Sequence, residues 1–228
     1  MRLFLASYRF GPAPATFTEF LPAPARIAVI AAATDAWPEA ARRSAVTSDL
    51  VPLTRLGYAA EELDLREYAA DPGGVANRLA DCDGVWVRGG NTFVLRAQLA
   101  RSAADVVLTD LLGEGRLAYA GYSAGACVAG PTLRGLESAD DPSEVRAACA
   151  MTPRWDGLGW IDVAIVPHAP RSSGTRQELT VNLEDADSVR ATARSLTKAA
   201  VPYLTLTDDQ VVIVEDGTRR VVGGIDSP

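Results

Sequence analysis

A serine between two glycines is the first group in this sequence that could do covalent chemistry. The stretch Gly121-Tyr122-Ser123-Ala124-Gly125 matches G-x-S-x-G, with an apolar run before it at 117–120 and small residues after it at 126–129. In that context the pattern predicts a sharp turn from strand to helix, where glycines relieve crowding and the serine Oγ is exposed at a helix N-terminus. We expect Ser123 to be a nucleophile; a purely structural tight turn is the alternative.

A serine nucleophile needs a base, and the chain has one histidine to offer. His168 follows the apolar run that begins at Ile161, which predicts a strand. The carboxyl end of a parallel strand lies at the rim where open α/β sheets carry their sites, so we expect His168 to accept the proton of Ser123. A structural role is the alternative for this histidine too.

The numbers of histidines and cysteines limit the metal and redox chemistry that the chain can perform. A single histidine excludes zinc sites built from two or three histidines of one chain. The three cysteines, Cys82, Cys127 and Cys149, are too few and too far apart for a disulfide framework or a C-x-x-C metal site. We therefore expect a reducing compartment, no metal and no organic cofactor.

A second glycine-rich loop could stabilise developing negative charge. Arg88-Gly89-Gly90-Asn91-Thr92-Phe93 follows a predicted strand and opens a predicted helix, which can aim a free backbone N–H at an oxyanion. The loop lacks G-x-G-x-x-G and is not followed by Gly-Lys-Ser/Thr, so it predicts neither a dinucleotide site nor a P-loop. A tight turn at the end of a strand is the alternative.

A histidine base usually has a carboxylate partner that orients its ring. An acidic loop at 137–144, between Ser123 and His168, offers four candidates. They are Glu137, Asp140, Asp141 and Glu144, of which at least three must be ordinary surface residues.

The elements that must position these residues alternate as in an α/β protein with a mainly parallel sheet. Apolar residues at helical spacing predict crossover helices at 36–56 and 91–103, whereas the proline-rich stretch 11–24 predicts a loop. Asp216-Gly217 predicts a C-terminal β-hairpin. The predicted strands are 2–7, 26–32, 84–88, 117–120, 162–167, 203–207, 210–215 and 219–222.

Composition places the chain among ordinary globular proteins and limits its partners. It has 228 residues, 48% of them hydrophobic, and a net charge of −7, so we expect one domain and no affinity for nucleic acid or an anionic membrane. The N-terminus has no apolar run long enough for a signal peptide, and no later window predicts a membrane span. We expect a cytoplasmic monomer or homodimer.

Together these motifs resemble the peptidase E and cyanophycinase family of serine hydrolases, whose fold is similar to the flavodoxin-like, three-layer fold of class I glutamine amidotransferases. The resemblance covers most of the chain and implies a single hydrolase domain over 1–228. It rests on motifs that occur here in the family's order. They are G-G-N-T-F at 89–93, G-x-S-A-G-A at 121–126, P-T-[IL]-R at 131–134, Pro-His at 167–168 and G-x-T-R ending at Arg176.

The resemblance implies roles for individual residues. Ser123 would be the nucleophile, His168 the base, and the amides of Gly90 and Ala124 the oxyanion hole. Matching the family's D-x-P to 140–142 favours Asp140 as the triad carboxylate, with Asp141 second and Glu137 and Glu144 still open. Arg176 would receive a substrate carboxylate through its planar guanidinium, and Asn91 would also contact substrate.

These roles predict a serine peptidase that cleaves small peptides through an acyl-enzyme, with dipeptides bearing N-terminal aspartate as the family's substrate. One alternative is an amidase or cyanophycinase-like hydrolase acting on another acyl group. Another is a non-catalytic relative that binds a small ligand. A class I glutaminase is disfavoured because Ser123 replaces its cysteine and no H-x-E pair follows, since residue 170 is proline.

Overall fold

The computed structural model describes residues 1–170 and 183–224, which contain nine strands. The strands are β1 (Arg2–Ala6), β2 (Arg26–Ile30), β3 (Ala59–Glu62), β4 (Gly84–Val87), β5 (Ala118–Tyr122), β6 (Ala164–Val166), β7 (Tyr203–Thr205), β8 (Gln210–Glu215) and β9 (Thr218–Gly223).

Seven of these strands form one sheet in the order β3-β2-β4-β5-β1-β8-β9. The five strands from β3 to β1 run parallel to one another, and β8 and β9 are added antiparallel. This confirms the predicted α/β architecture with a mainly parallel sheet and a C-terminal hairpin. The hairpin turns at Asp216 and Gly217, whose φ angles of 51° and 75° are those of a tight turn that matches the twist of the strands.

Helices cover both faces of the sheet because its central strands are apolar on both sides. In β1, Leu3 and Leu5 pack into one core while Phe4 and Ala6 pack into the other. The helices are α1 (Pro14–Phe20), α2 (Glu39–Arg55), α3 (Pro72–Leu79), α4 (Thr92–Arg101), α5 (Ala104–Gly113), α6 (Ala124–Cys127), α7 (Glu144–Cys149) and α8 (Leu183–Lys198). No helix in the described part of the chain is long and apolar enough to cross a membrane.

The proline-rich stretch contains a helix, so the prediction of a loop over 11–24 was wrong for its centre. Pro14 occupies the first turn of α1, where its missing N–H costs no hydrogen bond. Phe17 and Phe20 are buried, and the ring of Phe17 lies 5.3 Å from that of Phe4 and 5.2 Å from that of Trp86. Aromatic burial therefore stabilises a helix that composition alone does not indicate.

The predicted strand at 162–167 is present as β6, but it does not join the main sheet. It pairs in parallel with β7 in a separate two-stranded sheet. The short edge strand β3 was not predicted, because its Ala-Ala-Glu-Glu sequence is polar and only half buried. β3 extends the parallel sheet at its edge, whereas β6 and β7 lie outside that sheet.

The sheet order brings three carboxyl ends together at one rim. In the register of the central strands, Ala6 of β1 lies beside Tyr122 of β5, and Val87 of β4 lies beside Gly121. The residues that follow these strands, including Ser7, Gly89 and Ser123, therefore converge where open α/β sheets carry their functional sites.

Replacing Phe17 should test the contribution of α1. We expect Phe17→Ala to lower the free energy of unfolding by about 3–5 kcal/mol, because it leaves a cavity among buried rings. Glu19→Ala, on the exposed side of the same helix, should change it by less than about 0.5 kcal/mol. Urea unfolding measures both, and equal effects would show that α1 is not anchored through its aromatic face.

Candidate active site

Ser123 lies on a strained turn between β5 and α6. Its φ of 50° and ψ of −116° fall outside the regions that non-glycine residues usually adopt. The amide of Ser123 lies 3.1 Å from both the Ala6 and Ser7 carbonyl oxygens, which holds the turn against the end of β1. A Cβ on Gly121 would lie 2.3 Å from the Gly125 carbonyl oxygen, so this turn requires glycine there.

His168 directs its ring onto the hydroxyl of Ser123. Its Nε2 lies 3.0 Å from Ser123 Oγ, although the two residues are 45 positions apart and follow strands of different sheets. The backbone of His168 is also left-handed, with φ of 59°, and its N–H donates to Ser7 Oγ over 2.8 Å. The loop after β6 thus turns sharply to deliver the only histidine of the chain to Ser123.

The carboxylate that contacts His168 is that of Asp208. The distance from Asp208 Oδ1 to His168 Nδ1 is 2.7 Å, so Ser123, His168 and Asp208 form one continuous hydrogen-bonded chain. Asp208 lies between β7 and β8, and sequence reasoning missed it. The available signal was an acidic pair, Asp208-Asp209, directly after a predicted strand.

The carboxylates predicted for this role are engaged elsewhere. Asp140 Oδ2 accepts hydrogen bonds from the backbone N–H and the hydroxyl of Thr92, at 2.9 Å and 2.6 Å. Asp141 is exposed and bonds Ser143. Glu137 accepts from the Gly135 amide, and Glu144 accepts from Asn91. None of the four is hydrogen-bonded to His168, because the loop that carries them packs against the start of α4.

Ser7 forms hydrogen bonds with both His168 and Asp208. Besides accepting from the His168 N–H, its hydroxyl donates to Asp208 Oδ1 over 2.9 Å. Ser7 is fully buried, whereas the side chain of Asp208 is 57% exposed. Hydrogen bonding rather than burial therefore positions this carboxylate.

Two backbone amides are placed to act on a developing oxyanion. Gly90 and Ala124 line the same cavity as Ser123, and among the described residues neither amide donates a hydrogen bond to another group. Gly90 has φ of 147°, and a Cβ on it would lie 2.5 Å from the Ala33 carbonyl oxygen. Only glycine fits this close approach.

Asn91, predicted to contact substrate, uses its side chain for hydrogen bonds within the fold. Its Oδ1 accepts from the amides of Phe93 and Val94 and so caps α4. Its Nδ2 donates to the Asp141 carbonyl and the Glu144 carboxylate, so both ends of the amide are occupied within the fold. Arg176, the other predicted substrate ligand, lies outside the described residues.

The buried carboxylate of Asp49 binds the two residues that precede the glycine-containing loops. Arg88 lies 2.5 Å from Asp49 on α2, and the Tyr122 hydroxyl donates to the same carboxylate over 3.1 Å. Burial beside this carboxylate raises the pKa of Tyr122, which keeps the phenol protonated as a donor. Arg88 and Tyr122 immediately precede Gly89 and Ser123, so one anion fixes the ends of β4 and β5 relative to each other.

The cavity above Ser123 has a volume of about 250 Å³. Besides the residues already named it is lined by Cys127, Leu136, Ala139, Val166 and Pro167, and by Ser188, Val189 and Thr192 of α8. Among the described residues, no group of three or more His, Cys, Asp or Glu could hold a metal ion.

Removing the Ser7 hydroxyl should impair catalysis more than folding. We expect Ser7→Ala to lower kcat at least about tenfold with KM changed less than about twofold, because two hydrogen bonds that orient His168 and Asp208 are lost. Ser102→Ala removes another fully buried hydroxyl, at the far end of α4, and should leave kcat unchanged. Equal kcat values for wild type and Ser7→Ala would contradict the positioning role.

Known proteins resemble this chain in sequence and in fold. An uncharacterized peptidase of Listeria innocua, Lin0382, is 33% identical over 116 residues, which are 51% of this chain and 52% of that protein. Peptidase E of Streptomyces coelicolor is 32% identical over 155 residues, 64% of this chain and 54% of that protein. The chain thus spans about half the length of the curated relatives it matches.

The similarity in fold covers nearly the whole chain. The crystal structure of a protein of Listeria monocytogenes EGD-e, described as a candidate peptidase E, superposes with a TM-score of 0.74 at 23% identity and covers 97% of this chain and 98% of that one. The sequence model of Peptidase family S51 matches residues 15–222. The chain therefore belongs to peptidase family S51.

Proposed function

We propose that this protein is a serine peptidase that hydrolyses small peptides through an acyl-enzyme. The observation that carries the proposal is the hydrogen-bonded chain from Ser123 Oγ through His168 to Asp208. A nucleophile, a base and an orienting carboxylate in that order are the parts of a serine hydrolase triad. Membership of the S51 peptidase family favours an amide bond as the target.

The first half-reaction forms the acyl-enzyme. Ser123 Oγ attacks the scissile carbonyl carbon while His168 Nε2 takes the hydroxyl proton. The carbonyl oxygen becomes an oxyanion between the amides of Gly90 and Ala124. The intermediate collapses, the C–N bond breaks, and His168 returns its proton to the departing amine.

The second half-reaction regenerates the enzyme. Water attacks the ester carbonyl while His168 accepts one of its protons, and collapse of the second intermediate returns a proton to Ser123 Oγ as the carboxylic acid leaves. Asp208 keeps the Nδ1–H tautomer and stabilises the imidazolium throughout. Each step uses side chains and amides of the described residues.

The substrate is proposed to be a short peptide, whose residue with the scissile carbonyl would occupy the cavity of about 250 Å³ beside Ser123. The three cysteines are unpaired, which favours a reducing compartment such as the cytoplasm. The preference for N-terminal aspartate depends on Arg176, which lies outside the described residues. It enters the substrate panel below as one member among several.

Ser123→Ala and His168→Ala test the mechanism directly. We expect each to reduce hydrolysis at least about 10³-fold while the far-UV spectrum and the unfolding transition stay close to wild type, because each removes a reacting group. The assay uses aminoacyl 4-nitroanilides and X-Leu dipeptides with Asp, Glu, Asn, Gln, Ala, Leu and Lys as X. Near-wild-type turnover by either variant would exclude this mechanism.

Asp208→Asn tests the assignment of the orienting carboxylate. We expect kcat to fall about 10²- to 10⁴-fold, because an amide can stabilise the wrong ring tautomer and cannot stabilise the imidazolium. Asp216→Asn removes the same charge at the hairpin turn, at the opposite end of β8, and should retain full activity. If Asp208→Asn retains wild-type kcat, another carboxylate orients His168.

A further inference from the structure

Tyr8 is a large aromatic residue that lies at the rim of the sheet without being buried there. It is 47% exposed. It directly follows Ser7, whose carbonyl oxygen lies 3.1 Å from the Ser123 amide nitrogen, so its backbone is one residue away from a hydrogen bond to Ser123. The triad gives this ring no task.

Arg9 and Tyr122 fix the exposed ring of Tyr8. Arg9 Nε donates to the Tyr8 hydroxyl over 3.2 Å, and Arg9 Nη1 donates to the carbonyl oxygen of Ser48 on α2 over 2.9 Å. The rings of Tyr8 and Tyr122 meet nearly edge to face, with centroids 6.2 Å apart and an interplanar angle of 77°. A ring that is held in place but left uncovered is preorganised to bind another group.

The two rings lie on the opposite face of the sheet from the cavity beside Ser123. Tyr122 belongs to the core that contains α1, and Tyr8 packs on it, whereas Ala124 belongs to the core that contains α4. The cavity is lined from the side of α4, α6 and α8, and Tyr8 is not one of the described residues that line it. Ser123 therefore separates the cavity from the two rings.

Gly89 keeps the space between Ser123 and these rings open. A Cβ on Gly89 would lie 3.3 Å from Ser123 Oγ and 3.2 Å from Cε2 of Tyr122. The hydroxyl and the edge of the ring thus border the same small volume. A side chain at position 89 would fill it, whereas glycine leaves it free for a substrate.

We propose that Tyr8, Tyr122 and Gly89 form a leaving-group subsite, in which Tyr8 packs against the side chain of the residue whose amine departs. The inference rests on the proposed function and concerns the half of the substrate that does not enter the cavity. With the residue of the scissile carbonyl in the cavity, the departing residue lies on the other side of Ser123. An aromatic or large apolar side chain there covers the exposed ring of Tyr8.

Dipeptides that share one acyl residue and differ in the leaving residue test the subsite. The acyl residue X is the one that the wild type cleaves fastest in the panel above, and the leaving residue is Gly, Ala, Leu or Phe. We expect the wild-type kcat/KM to be at least about tenfold higher for X-Phe than for X-Gly, because the larger side chain is buried against an aromatic ring. We expect Tyr8→Ala to lower kcat/KM for X-Phe about tenfold and for X-Gly less than about twofold. Tyr8→Phe keeps the ring and should stay within about twofold of wild type on both.

Trp37→Ala is the matched control for an exposed aromatic ring. Trp37 is 41% exposed and lies between β2 and α2, and β4 and β5 separate β2 from β1 in the sheet. This variant should change kcat/KM for every dipeptide less than about twofold. Equal effects of Trp37→Ala and Tyr8→Ala would contradict a specific subsite at Tyr8.

Interception of the acyl-enzyme by added amines gives a second measurement. The amine nitrogen attacks the ester carbonyl carbon while His168 accepts its proton, the bond to Ser123 Oγ breaks, and the proton passes to that oxygen as a peptide leaves. The amine enters through the position that the leaving residue vacated, so the ratio of peptide to free acid depends on the subsite.

The donor for this measurement is the 4-nitroanilide of X. At equal concentrations, we expect phenylalaninamide to give a ratio about tenfold higher than glycinamide with the wild type, and less than about threefold higher with Tyr8→Ala. A merely structural role of Tyr8 would slow hydrolysis and interception together and leave the preference between the two amines unchanged.

The outcomes separate the two proposals. Ser123-dependent hydrolysis with no preference among leaving residues or added amines, or a parallel loss on all dipeptides in Tyr8→Ala, overturns the subsite and leaves the peptidase intact. Absence of Ser123-dependent hydrolysis of any substrate contradicts the proposed function and this inference together. The wild-type preferences do not depend on whether a variant folds, and Tyr8→Phe retains the ring contacts.

Discussion

The hydrogen bond between His168 and Ser123 joins two sheets that share no strand, and the site depends on it. Ser123 follows β5 of the main sheet, while His168 follows β6 of the two-stranded sheet. Both residues have positive φ, so neither loop is in a relaxed conformation. Such conformations persist only where surrounding contacts overdetermine them, and here Ser7 supplies several of those contacts.

Ser7 and Asp49 both hold together segments that meet at the site, Ser7 at the rim and Asp49 in the buried layer next to it. The hydroxyl of Ser7 links the backbone of His168 to the carboxylate of Asp208 at the rim. The buried carboxylate of Asp49 links Arg88 and Tyr122 one residue below the two glycine loops. Each of these residues connects segments distant in sequence through hydrogen bonds, which help to hold the loops of Ser123 and His168 in place.

The two carboxylates near His168 differ in what surrounds them. Asp208 reaches the imidazole from an exposed loop and is held by hydrogen bonds. Asp140 lies in the wall of the cavity, held at one oxygen by the start of α4.

The sequence by itself determined the parallel sheet, its hairpin, the nucleophile turn and the single possible histidine. Those features are local: apolar runs, glycine spacing and turn residues depend on neighbours along the chain. The orienting carboxylate was decided by tertiary structure, because Asp208 reaches His168 across 40 residues through the pairing of β6 with β7. An acidic loop near the serine in sequence is a poorer guide than the strand pairing that brings a distant aspartate to the ring. The helix α1 was decided in the same way, since Phe17 meets the rings of Phe4 and Trp86 only in the packed chain.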